Sequence, residues 1–110
     1  MTKFDINVHR AVDRLDFTEI NRRAMSHIED LCRRWLPDGK REGREWRAAD
    51  PQCADHRPRG LSVNLTTGRW CAYDGAAGGD PISLAAYLAG CRQSEAARNL
   101  ASMLGMEVSQ

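Results

Sequence analysis

The apolar positions of the chain fall into runs of different period. Ile20, Ala24, Ile28, Leu31, Cys32 and Trp35 recur in steps of three and four, which predicts one helix from about Phe17 to Leu36 with a single apolar face. "DFTE" at its start is an Asp-x-x-Glu capping box from Asp16, with Leu15 and Ile20 placed as a hydrophobic staple across it. Pro37 and Gly39 end it. Further on, "LSVNL" and "RWCAY" flank "TTG", which predicts a hairpin of Leu61 to Leu65 with Arg69 to Tyr73 and Gly68 in the left-handed position. "PISLAAYLA" is apolar nearly all round, so it reads as a buried helix starting at Pro81 and capped by Asp80. Ala97, Leu100, Ala101 and Leu104 then share one face of a last helix from about Gln93 to Leu104, with Gly105 as its C-terminal cap.

Two segments are less regular. In residues 1–14, Phe4, Val8 and Ala11 lead to Leu15 at roughly helical spacing with little else to bury, so this part reads as a flexible arm or short helix preceding a domain of residues 15–110. "KREGREWRAADP" predicts a turn and then a short edge strand closed by Pro51. The order of helix, small antiparallel sheet and two helices defines an α+β class.

Length and charge narrow the function. A chain of 110 residues allows one small core and little room for a catalytic cleft. With 16 Lys plus Arg against 15 Asp plus Glu, any electrostatic footprint has to be local. The N-terminus lacks the apolar core of a secretory signal, and no apolar run approaches the roughly 20 residues of a membrane span. The chain is therefore read as cytoplasmic, with reduced thiols and no membrane partner.

The candidate chemistry lies in two short pairs. Cys53-x-x-His56 and Cys71-x-x-Asp74 are separated by fourteen residues that contain the hairpin. Each two-residue gap lets a tight turn present both side chains to one tetrahedral Zn²⁺, and the hairpin would bring the turns together as a zinc ribbon. An aspartate oxygen is an uncommon fourth ligand and makes a more exchangeable site than a thiolate. Cys53 and Cys71 would serve equally as small buried hydrophobes, and His56 as a loop residue; Cys32 and Cys91 read as core. Between the two pairs and just before them, Arg44, Arg47, Arg57, Arg59 and Arg69 interleave with Trp46 and Trp70. Cations track phosphates and aromatic faces stack on bases. The same arginines could instead pair with Glu42, Glu45, Asp50 and Asp55, and the tryptophans could be core.

From about Gly43 to Met106 the chain resembles the N-terminal zinc-binding domain of bacterial and phage DNA primases, in a divergent branch found in phages and mobile elements. The resemblance is carried by Cys53-x-x-His56, "RGLSVNLTTGRW", Cys71, "GGDPISLAAYLAG" and "SEAARNLASMLGM". Asp74 stands where zinc-binding members have a second cysteine, and mobile-element relatives keep the hairpin and "GGD" without the ligands. The resemblance implies a zinc-ribbon-like sheet with flanking helices, Zn²⁺ as cofactor and a noncatalytic module that binds single-stranded DNA template in replication. A primase catalytic domain, polymerase or helicase would be its protein partner. The polymerase domain itself is absent from these residues. The alternative is a metal-free interaction module docking onto a helicase or polymerase subunit.

Overall fold

The structure, a computed structural model, describes residues 16–52, 60–72, 75 and 77–106. The first helix begins where its cap predicts: the Glu19 N–H donates to Asp16 Oδ1 at 3.0 Å. Leu15, the expected staple partner, lies outside the described residues. The expected single helix is two. α1 (Phe17–Met25) and α2 (Ile28–Trp35) are separated at Ser26 and His27, where the Ser26 N–H turns back to the Arg23 carbonyl and His27 provides no side-chain cap. Serine and histidine are only moderate helix formers, so the break opposes little intrinsic preference. It also lets one stripe serve two cores. Ile20, Ala24 and Leu31 join a helical core with Ile82, Ala97 and Leu100. Ile28 and Cys32 join a second core with Trp46, Leu61, Val63, Trp70 and Leu84 under the sheet. Burial pushes the Cys32 thiol up to about 12, with Glu29 adding to the shift, as suits a packing thiol.

The sheet has five antiparallel strands in chain order: β1 (Lys40–Glu42), β2 (Glu45–Ala48), β3 (Leu61–Asn64), β4 (Trp70–Ala72) and β5 (Gly78–Gly79). The expected edge strand is thus a hairpin of its own, and β2 lies inside the sheet between β1 and β3. The β3–β4 hairpin forms as predicted within a residue or two of its limits, and Gly68 has φ +79. Side chains alternate across the pleat. Trp46, Val63 and Trp70 pair along one row, Ala48, Leu61 and Ala72 along another, and both rows face the helices.

α3 (Pro81–Ala89) and α4 (Gln93–Met103) complete the fold. Asp80 caps α3 through the Ser83 N–H at 2.8 Å, and its other carboxylate oxygen accepts from Asn21 Nδ2 at 3.0 Å. Asn21 Oδ1 in turn accepts from the Ile82 N–H, so one cap fastens α1 to α3. No buried side-chain nitrogen or oxygen among the described residues lacks a partner. None of the described helices is long and apolar enough to cross a membrane.

Candidate nucleic-acid interface

The glycines before α3 are explained by the sheet. A Cβ on Gly78 would lie 2.8 Å from the Trp70 carbonyl oxygen, and one on Gly79 would lie 2.2 Å from Ser83 Oγ. Only a bare backbone lets β5 lie against β4 this closely while feeding Asp80 into the cap. Trp70 is fixed from the same side, its Nε1–H shared between the Asp80 carbonyl and Ser83 Oγ, both at 3.0 Å.

Both tryptophans are therefore structural. Trp46 is 3 % exposed and donates to the Leu36 carbonyl, with the Arg33 guanidinium 5.2 Å from its ring centroid. Trp70 is 5 % exposed and packs against Tyr87 at 4.9 Å between centroids. An indole at this depth presents no face to a base, which corrects the expectation that Trp46 or Trp70 stacks on nucleic acid. Packing thus turns both indoles inward, toward the helices.

The opposite face of the sheet looks into solvent. Its central row is Lys40, Arg47, Ser62, Cys71 and Gly78, in register across all five strands. A second row runs Glu42, Glu45 and Asn64. Glu45, Ser62, Asn64, Arg69, Cys71 and Gly78 border an open groove of about 720 Å³. Arg47 is half-buried and lies 3.8 Å from Glu42 and 3.4 Å from Glu45, so its charge is largely answered on the surface. Arg44 and Arg69 are exposed and form no ion pair among the described residues, as does Lys40 at the sheet edge. Ser62, Asn64 and Gly78 were not singled out from the sequence. The alternation of "LSVN" placed Ser62 and Asn64 on one face, but not on which side of the sheet.

Of the candidate zinc ligands, Cys71 is described: its thiol is exposed on the outer face, 3.7 Å from Ser62 Oγ. Cys53, His56 and Asp74 lie outside the described residues, as do Arg57 and Arg59. The strand ends that flank them are described. Ala48, Leu61 and Ala72 form one row, so the β2–β3 and β4–β5 connections leave the same end of the sheet. Asp50 fixes the first of these connections. It is 4 % exposed, accepts from the Gln52 N–H at 2.8 Å, and accepts from the Tyr87 hydroxyl at 2.6 Å. Gln52 Nε2 also donates to the Tyr87 carbonyl, fastening the segment to the C-terminal half of α3. Cys91 packs against the helical core and Cys32 within the sheet-side core, as the sequence suggested. Among the described residues no cluster of three or more His, Cys, Asp or Glu could hold a metal ion.

No family model and no curated protein matches the chain. Among solved structures it is similar to the Aquifex aeolicus primase in a structure comprising that enzyme's zinc-binding and RNA polymerase domains. The TM-score is 0.63 at 20 % identity, and the match covers 92 % of this chain and 22 % of that one. The chain has a primase-like fold.

Proposed function

We propose that this chain is a noncatalytic, primase-type template-binding module that holds single-stranded DNA on the outer face of its sheet during replication. The observation that carries this reading is the likeness in fold to the Aquifex aeolicus primase over nearly the whole of this chain. The open groove beside Arg69, bordered by Ser62 and Asn64, with Arg44 at the adjoining turn, supports it. Arg47, Arg57 and Arg59 are further phosphate contacts in this reading, and a primase catalytic domain, polymerase or helicase is the protein partner. With both indoles buried, affinity comes from cations tracking phosphates and from polar groups lining the groove, so binding is strongly salt-dependent and weakly sequence-dependent.

Cys53, His56, Cys71 and Asp74 form a donor set of two thiolates, one imidazole and one carboxylate, which suits Zn²⁺. The β2–β3 connection, which carries Cys53 and His56, and the β4–β5 connection, which carries Asp74, leave the same end of the sheet, and the exposed Cys71 lies on β4 next to its last residue there. These residues would hold the ion, whose contribution is structural: it ties the connections at the sheet end away from the hairpin turns.

Elemental analysis of protein purified without chelator, together with anisotropy of a labelled oligothymidylate over a range of salt, tests both parts. One zinc per chain and saturable, salt-dependent binding are expected. Absence of zinc would leave a metal-free scaffold. Absence of binding at low salt would refute the template-binding reading and favour the interaction module.

A further inference from the structure

On the helix side of the β1–β2 hairpin lies a second depression, a cleft of about 540 Å³ bordered by His27, Glu29, Asp30, Arg33, Arg41 and Arg44. The cations reach it from three separate places: α2, β1 and the hairpin turn. Glu29 holds two of them, Arg33 at 2.6 Å and Arg41 at 2.8 Å. Arg33 is further restrained by the Trp46 ring, and Arg41 Nε donates to the Gly43 carbonyl at 2.9 Å. The Arg33 hydrogen bond, and then the charge of Arg41, keep the Glu29 carboxyl below its usual range, so it stays ionised as their common anchor. Arg44 has no ion pair among the described residues, and three guanidinium groups face two carboxylates. One positive charge is left over, beside two guanidinium groups that Glu29 already orients.

The cleft and the sheet-face groove meet at the turn end of the sheet. Arg44 and Thr66 border the cleft, while their neighbours Glu45 and Asn64 border the groove. We infer that the cleft is a second phosphate-binding site, in which Arg41 and Arg44 take phosphates of the same nucleic-acid strand after it passes round the hairpin turns. Arg33 closes the cleft from α2, and Glu29 limits its affinity by competing for the same guanidinium groups. This site rests on the template-binding reading for its ligand and shares Arg44 with the surface proposed there, whereas Arg33 and Arg41 belong to the cleft alone.

Anisotropy of a labelled oligothymidylate of about 10 nucleotides, within the usual range for small single-strand binders, separates the two. Arg41→Ala, which removes a cation of the cleft alone, should lower the salt slope by about 0.7 and weaken low-salt binding roughly fivefold to tenfold. Glu29→Gln should change affinity in the opposite sense, tightening it. Circular dichroism melts confirm that the variants fold. If the wild type binds and neither variant differs from it, the cleft is overturned and the sheet face stands. If the wild type does not bind, the template-binding reading fails, and titration of ¹⁵N-labelled protein with inorganic phosphate decides the cleft. Shifts at His27 and Arg44 would support it as a phosphate site, and their absence would overturn it too.

Discussion

Two hairpin-turn glycines with the same backbone requirement but different surroundings test the packing between sheet and helices. Gly43 has φ +63 and Gly68 has φ +79. Alanine in the left-handed region costs about 1–2 kcal/mol, and about 0.4–1 kcal/mol of that is offset by the less flexible unfolded chain. Nothing lies within 4 Å of a Cβ built on Gly43, so Gly43→Ala should destabilise by only about 0.5–1 kcal/mol. At Gly68 the same Cβ would lie 2.4 Å from Met25 Sδ and 3.1 and 3.3 Å from the Pro81 ring. The methionine end can swing aside, although Met25 packs against the sheet-side core; the proline ring, at the first turn of α3, cannot. Overpacking of this kind adds about 1–2 kcal/mol, bringing Gly68→Ala to about 1.5–3 kcal/mol. Urea unfolding with a slope of about 1–3 kcal/mol/M should then separate the two midpoints by about 0.3–2 M. Equal midpoints would refute the contact between this turn, α1 and α3.

The pH dependence of α1 follows from Glu19, whose carboxyl is held at about 2, below its ordinary 4.5, by hydrogen bonds from Arg22 and then Arg23. A depressed folded-state value means that the contribution is complete above about pH 4.5 and is lost as pH falls toward about 2. Glu19→Gln should therefore flatten the melting temperature over that window, and an unchanged profile would contradict the assignment. Asp80→Ala removes both the cap of α3 and the link to Asn21, and should cost about 2 kcal/mol by thermal melting; a loss under about 0.5 kcal/mol would show that neither bond matters. For the proposed zinc site, chelator should lower the melting temperature of the natural protein, and Asp74→Cys should resist chelation better because a thiolate replaces a harder oxygen. No response to chelator in either protein would argue for the metal-free scaffold.

The parts of the fold legible in the sequence are those written in local chemistry. The Asp16 and Asp80 caps, the left-handed Gly68 and Gly105, and the stripe from Ile20 to Trp35 each depend on a few neighbouring residues, and each is present. The illegible parts depend on tertiary pairing. "KRE" has no apolar alternation and becomes β1 only because β2 offers it a partner. Gly78 and Gly79 have poor intrinsic strand propensity and pair because no side chain obstructs their approach to Trp70. The helix break at Ser26 and His27 follows from two cores competing for one stripe, which periodicity cannot express. At the candidate site, the exposed Arg44 and Arg69 could be picked out as cations, whereas the inward turn of both tryptophans depends on their packing against α2 and α3, which local patterning does not express.

Chemical-shift mapping of ¹⁵N-labelled protein with unlabelled oligothymidylate tests the sheet face as a template-binding surface most directly. Shifts should concentrate at Ser62, Asn64, Arg69, Cys71 and Gly78. Leu88, Asn99 and Met103, which border a separate depression between α2, α3 and α4, should stay in place. Shifts confined to that helical depression, or none at saturating oligonucleotide, would contradict the assignment of the sheet face.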